Sequence, residues 1–291
     1  MTVFAVGLGF PEAPVKLPDG DLLVVEMDPG KGCITRIASD GSTRRQIAHT
    51  GRPNGLALDR NGFVWVAETA QRALLKVSLA GECETIATNC DGMPFLFLND
   101  LAFGPNGDVY LTDSGVELEA LAPGGVANPD YRSLEYDGRV FRIDPQLRTV
   151  ECIDRGLEFA NGIAFGPDGA LYVAETLTGN IYRYAARDGR VTGGRELFAN
   201  VIESFDQAVL KGPDGMKFAA DGRLFVCVFG QGDVTVLDPG GAVLERIHTQ
   251  GGHPTNLAFG APGERCIYVT EVDTGSLQLL KVGVDGLPLH G

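Results

Sequence analysis

The sequence predicts an all-β fold, a six-bladed β-propeller spanning residues 1–291 as one domain, with the N-terminal strand closing the last blade. Three observations point there. A polar residue, an apolar strand, a Gly-containing turn and a second apolar strand follow one another six times. Successive copies lie 42, 45, 62, 53 and 42 residues apart, the spacing of four-stranded blades. The composition, with 40 Gly and 16 Pro, suits many short strands joined by tight turns rather than long helices or disorder.

Taken in order, the copies open at Glu12, Asn54, Asn99, Asn161, Asp214 and Asn256. The first five inner hairpins turn at Pro18-Asp19-Gly20, Arg60-Asn61-Gly62, Pro105-Asn106-Gly107, Pro167-Asp168-Gly169 and Ala220-Asp221-Gly222. In each turn an Asn or Asp before Gly accepts the positive φ that a tight turn demands. The sixth, Ala261-Pro262-Gly263-Glu264, is looser. A second hairpin follows in each blade, as in Cys33–Ile37 before Asp40-Gly41 and Ile181–Tyr184 before Asp188-Gly189. Its alternating polarity suits outer strands with one wet face. Val3–Leu8 precedes the first opener without a hairpin of its own, so it is expected to complete the sixth blade and remove an exposed sheet edge. The long intervals contain Val116–Gly138 and Asn200–Gly212, expected as loops on one rim beside a binding site.

Inner strands of a propeller begin at one mouth of the central channel, so the six openers converge there. Any one Asn or Asp at a strand start also has a local explanation, as a backbone cap; six in phase have a shared one. The returning strands end at Glu26, Glu68, Asp113, Glu175 and Glu271, with Val228 in the fifth copy. These acids either hold the blades by accepting backbone N–H bonds or add negative potential at the mouth. Carboxylate and amide oxygens together suit a hard divalent ion such as Ca²⁺, Mg²⁺ or Mn²⁺.

The net charge of −14 repels phosphate backbones and anionic membranes, so no nucleic-acid or membrane partner is expected; no obligate protein partner is inferred. Six cysteines lack C-x-x-C spacing, which argues against a zinc or redox motif, and Cys227 and Cys266 read as buried apolar residues. Met1–Gly7 has neither a basic region nor a long apolar run, so the expected location is cytoplasmic. No Gly-x-Ser-x-Gly elbow is present, against a serine hydrolase.

Four motifs, Pro11-Glu12-Ala13-Pro14, Leu98-Asn99-Asp100, Ala160-Asn161-Gly162 and Gly212-Pro213-Asp214-Gly215-Met216, resemble those of the gluconolactonase family that includes senescence marker protein 30, regucalcin and luciferin-regenerating enzyme. The resemblance covers essentially the whole chain. It implies one divalent metal held by Glu12, Asn99, Asn161 and Asp214, calcium foremost with Mg, Mn or Zn open, and Asp214 as general base in hydrolysis of a lactone or related cyclic ester. The substrate is then a small molecule, contacted by Asn54, Phe97, Asp100, Glu117, His253 and Asn256. Phe97 stands where sugar-lactone members of the family carry an Arg, two residues before the channel Asn, so it reads either as blade packing or as an apolar substrate wall. His253 reads either as a loop residue or as one facing the mouth. Two other readings remain open at this point: the same metal used for phosphotriester hydrolysis or for an isomerase, lyase or cyclase step, and a non-catalytic binding propeller.

Overall fold

The structure, a computed structural model, describes residues 1–204 and 210–291. Six four-stranded antiparallel sheets form a β-propeller, each sheet following the chain outward from the channel. Blade 1 comprises Pro11–Lys16, Leu22–Glu26, Cys33–Ile37 and Arg44–His49. The innermost strands of blades 2 to 6 are Pro53–Leu58, Leu98–Phe103, Ala160–Phe165, Gly212–Phe218 and Pro254–Phe259. Blade 6 obtains its fourth strand from Thr2–Val6, which pairs antiparallel with Ser276–Lys281, so closure by the N-terminal strand is as expected.

Second strands such as Leu22–Glu26, Val64–Glu68 and Leu171–Glu175 are buried along their whole length, because both faces pack against neighbouring blades. Outer strands such as Arg44–His49 and Val243–His248 are largely exposed. The hydrophobic core is accordingly divided into six clusters, each lying between two adjacent blades. One joins Leu23, Val25 and Ile34 of blade 1 to Val64, Val66 and Leu75 of blade 2. Another joins Leu22, Val24 and Ile37 to Tyr268 and Leu277 of blade 6. At Asp188-Gly189 both residues have positive φ, 52° and 74°, as the primed two-residue turn requires.

The first long interval is largely non-strand. It carries a short helix, Leu118–Leu121, and two 3-10 turns, Pro123–Gly125 and Tyr131–Ser133, before the strand Gly138–Asp144. Its apolar residues Val116, Leu118, Leu121, Tyr131 and Leu134 form a seventh cluster with Phe97, Phe159 and Leu177. This excursion therefore covers the site end of blades 3 and 4. Part of the second expected loop, residues 205–209, lies outside the described residues.

At the other end of the channel, residues 285–291 cross the ends of the inner strands. Leu287 N–H donates to Phe218 O at 2.9 Å, Gly286 lies against Phe259, the His290 ring stands 6.3 Å from that of Phe165, and Gly291 meets the Leu58 carbonyl. A surface cavity of about 650 Å³ lies beside this segment, lined by Asp59, Asn106, Asp188 and Arg148 among others, and is remote from the opener residues. Among the described residues no helix is long and apolar enough to cross a membrane.

Candidate active site

Every inner strand slips register by one residue at the same place, where it meets the second strand of its own blade. The irregularities lie between Glu12 and Val15, Pro53 and Leu56, Leu98 and Leu101, Ala160 and Ile163, Pro213 and Met216, and Pro254 and Leu257. A bulge puts two residues opposite one and re-aims their side chains. Glu12, Asn54, Asn99, Asn161 and Asp214 occupy equivalent positions in it. In blade 6 that position belongs to Thr255, because Pro254 pairs with Glu271 as Pro53 pairs with Glu68. Asn256 is one residue further on, in the place of Asp100, which corrects its expected phase. It still reaches the site: its Nδ2 donates to Glu12 Oε2 at 3.1 Å.

A relay of hydroxyls orients the amides. Asn99 Nδ2 donates to Ser114 Oγ and Asn161 Nδ2 to Thr176 Oγ1, both at 3.0 Å. Those hydroxyls donate onward to the next blade, Ser114 to Ala160 O and Thr176 to Pro213 O, each at 2.9 Å. With both amide N–H₂ groups engaged, the carbonyl oxygens are the ends left for the channel. In blade 6 the acid Glu271 is followed by Val272, which has no hydroxyl, and Thr255 itself makes the corresponding bond, to Pro11 O at 2.9 Å. This bond also closes the ring between the last and first blades.

The acids that end the second strands are clamps. Glu26 accepts from Gly9 N–H, Asp113 from Leu96 and Phe97 N–H, Glu175 from Glu158 N–H, and Glu271 from His253 and Thr274 N–H. Glu68 accepts from the N–H groups of Arg52 and Gln71. Each acid thus holds the segment that leads into its own inner strand, and the packing reading applies rather than the electrostatic one.

Glu12, Asn99, Asp100, Asn161 and Asp214 are buried. Burial pushes the Glu12 and Asp214 carboxyls well above their usual range; Asp214 and then Asp100 push Glu12 further, and Asp100 pushes Asp214. Asn161 Oδ1 and Asp100 Oδ2 are buried without a hydrogen-bond partner. Lys217 Nζ stands 3.8 Å from Asp100 Oδ2, too far for a hydrogen bond. Among the described residues no group of three or more His, Cys, Asp or Glu is placed to hold a metal. The available donor set instead mixes two carboxylates with amide oxygens. Two carboxyls that burial disfavours as anions, beside a bare amide oxygen, fit a hard divalent cation.

The other expected site residues are less free. Asn54 is buried, its Nδ2 only 3.4 Å from Leu98 O. Phe97 is 5% exposed and packs on Phe159 at 5.8 Å between centroids, so its ring supports the mouth rather than forming an open wall. Glu117 forms a two-bond ion pair with Arg72 at the surface. His253 stacks on Phe229 at 4.4 Å, and its Nδ1 lies 2.6 Å from Asp273 Oδ1.

Two charged residues escaped the sequence reading. Lys217 occupies the position three after the opener, which is Val15, Ala57, Ala102, Ala164 and Ala258 elsewhere. Its length among small residues was the available signal. Arg52 stands two before Asn54, in the blade next to the one where an Arg was sought, with its guanidinium over the rings of Phe10 and Phe97.

The fold and this ring of bulge residues define a β-propeller that gathers carboxylate and amide oxygens at one mouth of its channel. The chain belongs to the SMP-30/gluconolactonase/LRE-like family, whose model matches residues 10–273. A gluconolactonase of Zymomonas mobilis is 29% identical over 281 residues, covering 90% of this chain and 76% of its own. Among solved structures, a gluconolactonase from Xanthomonas campestris superposes with a TM-score of 0.79 at 23% identity, covering 98% of this chain and 89% of that one. Regucalcin from Agrobacterium tumefaciens, described as a calcium-binding protein, has a TM-score of 0.79 at 20% identity, covering 100% and 99%.

Proposed function

We propose that this protein hydrolyses a lactone or related cyclic ester at the channel mouth, using a divalent cation held by Glu12, Asn99, Asn161 and Asp214, with Asp214 as general base. The hydrolase class follows from family membership. The observation that carries the finer reading is the bare, buried Asn161 Oδ1 beside two carboxyls pushed above their range by burial. Calcium is the first choice of ion for an all-oxygen set with amide members; magnesium, manganese and zinc are the alternatives.

A bound divalent cation supplies Lewis acidity to the ester carbonyl and stabilises Asp214 as a carboxylate. Asp214 accepts a proton from water as the water oxygen adds to the carbonyl carbon. The ring C–O bond then breaks, and Asp214 returns the proton to the departing alkoxide, giving the open hydroxy acid. Asp100 Oδ2 is a free acceptor for a substrate hydroxyl, and Asn256 holds Glu12 in place. At the far end of the channel, residues 285–291 lie across the ends of the inner strands, so substrate entry is assigned to the mouth that carries the openers.

Hydrolysis of a lactone panel by metal-replete and chelated protein tests this reading, alongside Asp214→Asn. Metal-dependent ring opening, lost in the variant while the variant keeps its fold, is the expected result. Full activity of Asp214→Asn would overturn it. Phosphotriesters and enolisable carbonyl compounds belong in the same screen, since one Lewis-acid site serves several reactions.

A further inference from the structure

Around the channel mouth, the residues two positions before the bulge openers are Phe10, Arg52, Phe97, Phe159, Gly212 and His253. Arg52 is the one permanent cation in this ring. Its guanidinium carbon lies 6.0 Å from the Phe10 centroid and 5.6 Å from that of Phe97. Phe97 is in turn supported by Phe159 and the covering excursion. The stack is built in as backbone as well as side chain, since Phe10 and Phe159 both hold positive φ, 49° and 70°, which bulky residues adopt at a cost.

What the stack leaves bare is the donor edge. Among the described residues the Arg52 side chain makes no hydrogen bond and no ion pair. Glu68, the acid whose charge acts on it, directs its carboxylate to the main-chain N–H groups of Arg52 and Gln71. The side chain is half-buried, and that burial disfavours its charge. A guanidinium lying on aromatic faces presents its N–H fork at the rim, the geometry that receives a planar or tetrahedral oxyanion through two bonds. Among the described residues no side chain pairs directly with this half-buried cation, which leaves its fork for an anion that the ligand brings.

We propose that Arg52, stacked on Phe10 and Phe97, binds an anionic group carried by the substrate away from the reacting ester, a carboxylate, sulfonate or phosphate, so that the protein selects acidic lactones over neutral ones. This rests on the lactonase reading for the ester, but the oxyanion site is testable without it. Arg52 is a specificity residue here, and the reacting carbonyl is left to the bulge ring.

The test compares δ-gluconolactone with its 6-phospho and 6-sulfo analogues and with a glucarolactone, using wild type, Arg52→Gln and Arg52→Lys in the metal-replete form. The ratio of kcat/KM for charged over neutral lactone is expected to fall about 10- to 100-fold in Arg52→Gln, the worth of a charge-assisted bidentate contact, and to be partly kept in Arg52→Lys. Whichever analogue gives the largest ratio identifies the oxyanion. An unchanged ratio, whatever the absolute rates, overturns the proposal. Calorimetric titration with 6-phosphogluconate and with gluconate supplies the second arm. If no lactone is turned over by wild type, the lactonase reading fails, while tighter, Arg52-dependent binding of 6-phosphogluconate upholds the anion site. Equal binding in wild type and Arg52→Gln overturns it.

Discussion

Asn161 and Thr176 are joined by a 3.0 Å hydrogen bond whose direction decides which end of the amide faces the channel. Thr176 has one proton, and it goes to Pro213 O at 2.9 Å, so its oxygen accepts from Asn161 Nδ2 and the amide oxygen turns inward. The Thr176 hydroxyl thereby sets which atom of Asn161, a proposed metal ligand, faces the channel.

Thr176→Val should therefore weaken divalent-cation binding about 10- to 100-fold, the usual effect of losing an orienting partner behind a metal ligand. The same change costs stability by about 1–3 kcal/mol, because Pro213 O and Asn161 Nδ2 are both left unpaired. Calcium titration calorimetry and urea unfolding measure the two effects, and Thr176→Ser, which restores the hydroxyl, should rescue binding.

The chelated protein should lose stability as pH rises. Glu12 and Asp214 are raised above their ordinary values in the fold, chiefly by burial, and return to about 4 on unfolding. The native state therefore holds more protons than the unfolded state in the interval between those values. The contribution is complete below about pH 4 and disappears as pH climbs through the raised native values. A bound cation favours the charged forms and should flatten or reverse the slope. Urea midpoints across pH 5 to 8, with chelator and with calcium, check the sign.

Asp113 and Arg139 form a buried ion pair at 2.7 Å, and Asp113 also accepts from the N–H groups of Leu96, Phe97 and Gly115. Asp113→Ala should destabilise by about 3–5 kcal/mol, since it strands a buried guanidinium and frees the segment that leads to Asn99. The surface pair Arg72–Glu117 is the contrast: Arg72→Ala should cost no more than about 1 kcal/mol. Denaturant unfolding of both variants measures the difference.

Removing Thr2–Val6 leaves the outer edge of Ser276–Lys281 unpaired in blade 6. The truncated chain should melt at lower temperature and self-associate through that edge. Light scattering and a thermal scan of the shortened protein test both consequences.

The blade plan was legible because each hairpin repeats a local grammar: Asn54–Glu68 and Asn161–Glu175 read alike, and their turns carry Asp-Gly or Asn-Gly. The bulge was not legible, since counting residues along one strand cannot reveal where two of them face one partner. That is why Asn256 stood for Thr255. The clamp acids recur as visibly as the openers, and their direction emerges only from the N–H groups they meet. Arg52 was hidden for another reason. Its neighbours Phe10 and Phe97 come from the two flanking blades, 42 and 45 residues away, and only the packing of blades 1, 2 and 3 side by side brings them together.

The segment 285–291 stands across the far ends of the inner strands, against Leu58, Phe218 and Phe259, and so obstructs that end of the channel. A cyclic reactant and the open-chain acid formed from it must then share a single doorway. Traffic becomes exclusive: while an acid lingers at the threshold no new ring can enter, so accumulated product should compete with substrate and slow the later part of every progress curve.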